Sequence, residues 1–176
     1  MKTQLIFCLA FLLAPIFLTA QINGYNPESV KKAEETIESF KAKDSKFETF
    51  FEESYAYVVF PKIGKGASFI GGAHGKGIVF EQDEVIGKAK LTQITFGAQF
   101  GGQVYSQVIF FETKDDLERF KNGNIELAAQ ASAVAFKEGA TGSLAYSNGV
   151  AIFSKSEKGL MYEASVGGQK LKFKSI

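Results

Sequence analysis

Several lysines and the single histidine of this chain lie among closely spaced glycines between Phe60 and Phe80, and these residue types suit anion binding. Glycines allow backbone N–H groups to converge on an anion, and lysines add positive charge. A phosphate-binding loop would need glycine where Ile70 stands and serine or threonine after Lys76, where Gly77 stands. The glycine fingerprint of dinucleotide-binding folds is absent as well. The segment therefore predicts no specific nucleotide site, and close packing of bent strands is the simpler interpretation of its glycines.

His74 is the one histidine and the natural candidate for catalysis or metal binding. Zinc sites usually combine several cysteines and histidines, which this chain cannot supply around His74. A Ser-His-Asp arrangement would have to use the same residue, and no G-x-S-x-G motif offers the serine. We therefore predict no catalytic residue, no metal and no cofactor, and we interpret His74 as a turn residue.

Two amphipathic helices are predicted ahead of the glycine-rich stretch. Asn26 and Pro27 have the residue types of an N-cap and of the first helical position. The apolar stripe of this first helix consists of Val30, Ala33, Ile37 and Phe40. Such a stripe either covers a sheet or lies in a membrane interface. A second short helix is predicted from Phe47 to Ser54, with its phenylalanines on the buried side.

The rest of the chain has mostly strand-like patterns, interrupted by helices. Thr113 and Asp116 resemble a capping box that opens a helix through Phe120, with Gly123 beyond its end, and an alanine-rich helix is predicted at 125–137. The predicted strands are 56–60, ended by Pro61, then 67–80, 91–101, 103–112, 144–146, 150–154, 159–166 and 170–174. Together, these helices and strands predict an α+β domain in which N-terminal helices precede a strongly curved, largely antiparallel, barrel-like sheet.

Lysines alternate with apolar residues in the last predicted strand. Lys170, Lys172 and Lys174 would face outward, while Leu171 and Phe173 would face inward. The lysines either protect a sheet edge from aggregation or attract anionic lipid. If Lys62, Lys65 and Lys76 lie on the same side, their summed charge favours the membrane hypothesis.

The first 20 residues have the layout of a secretory signal. Lys2 precedes the apolar run Leu5–Leu18, and Thr19-Ala20 precedes a polar segment. We predict cleavage there, a single domain at 21–176, and export to the periplasm, the envelope or the outside of the cell. Cys8, the only cysteine, would be lost with the leader. The near balance of 20 Lys and Arg against 19 Asp and Glu argues against nucleic-acid binding, which needs an excess of positive charge.

Several segments in order resemble the SYLF domain family. They are VVFPKIGKGASFIGGAHGKGIVF, TFGAQFGGQVYSQVIFF, AAQASAVAF, GVAIF and GLMYEASVGGQKLKF. The resemblance extends over about 29–174. It implies a non-enzymatic module that binds phospholipids, phosphoinositides in the eukaryotic members, and in some members actin. Actin binding is not expected here, because no partner module such as SH3 or FYVE is attached.

The resemblance also indicates which residues would contact lipid. Phe60-Pro61 and the glycines after it match the glycine-rich stretch of the family, so its basic residues Lys62, Lys65 and Lys76 are candidates for head-group contact. We add Lys170, Lys172 and Lys174 from the last strand. The leading hypothesis is an exported domain that binds anionic phospholipid. The alternatives are a carrier of a small apolar ligand or fatty acid in a barrel-like cavity, and a structural or protein-interaction module of the envelope; oligomeric state is left open.

Overall fold

The computed structural model describes residues 26–67, 70–96, 101–123, 146–156, 159–161 and 169–176, and they form an α+β domain. Its helices are α1 (Pro27–Lys41), α2 (Lys46–Glu53) and α3 (Lys114–Lys121). Its strands are β1 (Ala56–Ala67), β2 (Ile70–Glu81), β3 (Glu84–Phe96), β4 (Gly101–Phe111), β5 (Val150–Ser156), β6 (Gly159–Met161) and β7 (Gln169–Ser175). The predicted fold class is confirmed. The predicted leader and the alanine-rich helix at 125–137 lie outside the described residues.

The strands form one curled antiparallel sheet in the order β6-β5-β4-β1-β2-β3-β7. Strands β1 to β3 are joined consecutively, and the last strand, β7, pairs with β3. Helix α3 packs near both β4 and β7, where the ring centroid of Phe120 lies 4.9 Å from that of Phe111 and 6.0 Å from that of Phe173. The curl therefore brings separate parts of the sheet against one helix.

Two predicted strand boundaries were wrong. Strand β1 does not end at Pro61 but continues to Ala67, and its pairing with β2 shifts register between Val59 and Lys62. Proline lacks an N–H group, and a bulge is one of the few places where a strand tolerates it. Strand β3 begins at Glu84, well before the predicted position 91, because Gln82 and Asp83 form a tight turn with positive φ angles of 49° and 64°.

Helices α1 and α2 cover part of one side of the sheet, which we call the α1 face. Ala33, Ile37 and Phe40 of α1 are buried there, so the apolar stripe of this helix lies against the sheet. The phenylalanines of α2 join them, and rings of Phe47 and Phe50 lie 5.2 Å and 5.0 Å from that of Phe153. The opposite side, the α3 face, has a second apolar cluster that includes α3.

Glycines in β2 make room for large side chains on the α3 face. A Cβ atom at Gly77 would lie 2.8 Å from both Cδ1 of Phe60 and the carbonyl oxygen of Val59. At Gly75 it would lie 2.7 Å from Cγ1 of Ile63. Real Cβ atoms do not approach so closely, so the two glycines allow β1 and β2 to pack their buried residues. This contact supports the packing interpretation of the glycine-rich stretch.

The cap of α3 agrees with prediction, and a tight turn precedes β5. Thr113 Oγ1 accepts a hydrogen bond from the backbone of Asp116, whose carboxylate accepts one from the backbone of Thr113. Arg119 donates both to that carboxylate and to the backbone carbonyl of Asn148. Asn148 and Gly149 have φ angles of 52° and 73°, as a tight hairpin turn requires. These bonds tie α3 to the start of β5.

Candidate functional site

A row of four lysines crosses four neighbouring strands on the α1 face. Lys62 of β1 pairs with Lys76 of β2, Lys76 with Lys90 of β3, and Lys90 with Lys172 of β7. Residues that pair directly across strands project to the same face, and neighbouring strands lie about 4.8 Å apart. All four side chains are exposed. The row therefore places four positive charges along about 14 Å of the sheet.

Further lysines extend this row in both directions along the strands. Lys88 pairs with Lys174, two residues from the row on one side, and Lys170 pairs with Thr92 on the other. Because alternate residues of a strand share a face, these side chains point the same way as the row. We call the set the lysine face: Lys62, Lys76, Lys88, Lys90, Lys170, Lys172 and Lys174.

The lysine face forms much of an open groove of about 1020 Å³. Asn26, Ser29 and Lys32 at the start of α1 lie on its rim. None of its described lining residues is acidic. Lys32 does have a partner, since its Nζ atom lies 2.6 Å from Oε1 of Glu28; this contact raises the pKa of Lys32 and lowers the pKa of Glu28. The groove thus has an excess of positive charge.

The lysines of the row have no acidic partners in the part of the chain that the structure describes. No carboxylate there lies within 4.0 Å of the ammonium groups of Lys62, Lys76, Lys90 or Lys172. Like charges directly opposite one another destabilise a strand pair. The row is therefore electrostatically unfavourable in the free protein, and an anion bound over it would remove that penalty.

The structure brings together five of the six lysines that the sequence indicated. Lys65 is the exception, because it pairs with Ala73, whose side chain is buried in the cluster on the α3 face. Its side chain therefore projects away from the lysine face. Lys88 and Lys90 belong to the face but were not predicted. The alternation of lysine with small or apolar residues at 87–91 was the signal that could have identified them.

His74 lies on the α1 face, one row away from Lys76. It pairs with Gly64 on one side and Thr92 on the other, and its side chain is exposed. It sits within strand β2, so the interpretation as a turn residue was wrong. The structure pairs it with no acid or base across the strands, and no group of three potential metal-binding side chains occurs among the residues described.

Acidic residues gather at the other end of β1, around a second pocket of about 430 Å³. Glu52, Glu53, Asp83 and Glu112 line it. Tyr57 Oη donates a hydrogen bond of 2.6 Å to Asp83, and burial, followed by this contact, raises the pKa of Tyr57. Negative charge is therefore concentrated at this pocket and positive charge at the lysine face, although the whole chain is nearly neutral.

Few apolar side chains are available on the described surface for insertion into a bilayer. The exposed large apolar residues there are Val104, which pairs with Gly64, and Ile176. No phenylalanine is among them. Of the described helices, none is both long and apolar enough to cross a membrane. A membrane contact at this surface would therefore depend on charge.

Comparison with known proteins gives two matches. Residues 92–175 match the Ysc84 family, which is described as a Las17-binding protein actin regulator. A protein of Aeromonas veronii named Beta cell expansion factor A is 32% identical over 123 residues, which make up 68% of this chain and 46% of that protein. The chain thus spans about half the length of this relative. The matched family segment contains all of β7 and the last five residues of β3, so Lys172 is the member of the lysine row that it includes.

Proposed function

The chain belongs to the SYLF family of lipid-binding or actin-associated modules, and from this premise we propose that it is an exported, non-enzymatic domain that binds anionic phospholipid head groups through its lysine face. The observation that supports this proposal is the row Lys62, Lys76, Lys90 and Lys172. Lysine near an anionic membrane contributes about 1 kcal/mol of attraction. Several lysines on one face therefore supply enough free energy for reversible binding.

Edge protection does not account for this row. It explains lysines on β7, which is the last strand in the described sheet, because an unpaired edge can recruit other strands. Strands β1, β2 and β3 are paired on both sides, and Lys62, Lys76 and Lys90 protect no edge. Binding of an anionic surface accounts for all four lysines together.

The α3 face gives less support to the carrier hypothesis. Its described part is filled by packed side chains, among them Phe60, Ile63 and Leu91, each fully buried. The space beside Gly75 and Gly77 on this face is filled by the side chains of Ile63 and Phe60. These contacts favour a surface that binds ligands from outside.

Vesicle co-sedimentation tests the proposal. We expect the protein to pellet with anionic vesicles at low salt, and a variant with Lys62→Gln, Lys76→Gln and Lys90→Gln to bind about 100-fold more weakly, as the loss of about 3 kcal/mol implies. A matched control removes the same charge elsewhere, with Lys43→Gln, Lys65→Gln and Lys114→Gln. Absence of pelleting, or equal losses in both triple variants, would overturn the proposal.

A further inference from the structure

We infer that the lysine face recognises the charge density of a planar array of anionic groups, and that it has no stereospecific site for one head group. This inference rests on the proposed function and specifies its ligand. The lysines are spaced about 4.8 Å apart across the strands and about 6.7 Å apart along them, as sheet geometry dictates. From Lys62 to Lys172, and from Lys170 to Lys174, the face extends about 14 Å in each direction. Such a surface spans several neighbouring lipids.

The groups that usually recognise a single phosphorylated head group are absent from this part of the described surface. Arginine forms rigid, paired hydrogen bonds with phosphate, whereas lysine acts as a flexible point charge. The described residues that line the groove include no arginine. The described residue Arg119 lies on α3 and bonds to Asp116 and to the carbonyl of Asn148. The lysine face can therefore attract phosphate without fixing its orientation.

Backbone amides do not supply the missing specificity. A glycine-rich loop binds phosphate when successive N–H groups point at the anion. Gly75 and Gly77 instead lie inside β2, which is paired with β1 on one side and with β3 on the other. Their backbone groups belong to the sheet and their missing side chains make room for Phe60 and Ile63. The glycine-rich stretch thus shapes the sheet and leaves binding to the lysines.

Charge recognition predicts a particular dependence on membrane composition. Each lysine contributes separately, so affinity should rise more than proportionally with the fraction of anionic lipid and fall steeply with salt. Lipids with different head groups should bind equally when the vesicles have the same surface potential. Moving one lysine along its strand should also leave affinity unchanged, because the total charge on the face stays the same.

The exchange variant Lys90→Thr with Thr92→Lys makes this test specific. Thr92 is exposed and lies on the same face, two residues along β3, so the variant shifts one charge by about 6.7 Å. The variant Lys90→Thr alone is the matched control that loses the charge. We expect the exchange variant to bind vesicles within about threefold of the wild type and the control to bind about fivefold more weakly.

The full experiment uses the whole protein and vesicles of phosphatidylcholine with phosphatidylserine, phosphatidylglycerol or a phosphatidylinositol bisphosphate, matched in zeta potential. We expect the three binding curves to agree within about threefold, and soluble inositol trisphosphate not to compete at the same phosphate concentration. A preference of about tenfold or more for one lipid, or competition by the soluble head group, would overturn the inference while leaving lipid binding intact. Absence of binding to all vesicles would overturn the proposed function itself.

Discussion

Replacing the two central lysines of the row by threonine should stabilise the free protein. Lys76 lies between Lys62 and Lys90, and Lys90 lies between Lys76 and Lys172, so each has two cationic neighbours. Like charges directly opposite one another destabilise a strand pair, and threonine suits a strand at least as well as lysine. The substitutions Lys76→Thr and Lys90→Thr remove this repulsion without disturbing a buried residue.

The magnitude follows from the separation of the ammonium groups. At about 8 Å, which flexible lysines can reach, Coulomb's law in water gives about 0.5 kcal/mol for each pair. Each single variant removes two pairs, so we expect a gain of about 1 kcal/mol in the free energy of unfolding at low salt. The double variant removes the shared pair only once and should gain about 0.5 kcal/mol less than the sum of the single variants.

Urea unfolding followed by circular dichroism, at low salt and near 1 M salt, measures these gains. Salt screens the repulsion, so the gains should shrink at high salt. Lys65→Thr is the control, because Lys65 pairs with Ala73 in β2 and should show no salt-dependent gain. A double variant that is less stable than the wild type at low salt, or a gain that salt does not change, would show that repulsion between these lysines does not destabilise the sheet.

Three further predictions concern packing and pH. Gly77→Ala should lower the free energy of unfolding by about 2 kcal/mol, because a Cβ atom there meets Phe60. Gly64→Ala should raise it by about 0.5 kcal/mol, because Gly64 has open space around it. Equal effects of the two variants in urea titrations would contradict the packing role of Gly77. Gly149→Ala should destabilise more than Gly123→Ala, because both have positive φ but only Gly149 also faces a carboxylate; calorimetry giving equal melting temperatures would refute this. Burial raises the pKa of Tyr57 above 10.0, so the stability it contributes is present below that pH and is lost as pH rises. Between about pH 9 and pH 11, the free energy of unfolding measured in urea titrations should therefore fall less for Tyr57→Phe than for the wild type. An equal fall in the two proteins would contradict this expectation.

Local patterns predicted the helices well, because caps and apolar spacing are local properties. Asn26 caps α1, Thr113 caps α3 in a capping box, and α1 buries Ala33, Ile37 and Phe40 of its predicted apolar stripe. The boundaries of β1 and β3 were harder to predict. Proline usually ends a strand, and only the register shift between the neighbouring strands shows that β1 passes Pro61 in a bulge. The turn at Gln82 and Asp83 lacks the glycine that normally marks such a hairpin.

The candidate site could be predicted only in part, since strand register is not visible in the sequence. Lys76, Lys90 and Lys172 are far apart along the chain and become neighbours through the pairing of β2, β3 and β7. Lys65 stands three residues from Lys62 and lies on the opposite side of the sheet. Alternation explains this, because residues three apart in a strand project to opposite faces, and the bulge at Pro61 sets which of the two lysines lies on the α1 face. Sequence proximity grouped Lys62 with Lys65, whereas pairing groups Lys62 with Lys76.

Successive residues of strand β2 alternate between the charged lysine face and the packed α3 face. Lys76 points to the lysine face, while Gly75 and Gly77 on either side accommodate buried rings and branched chains of β1. A change of charge on one side therefore leaves the packing on the other side intact. The charges on the lysine face can therefore be changed one residue at a time, by engineering or by selection, while the packing of the interior stays the same.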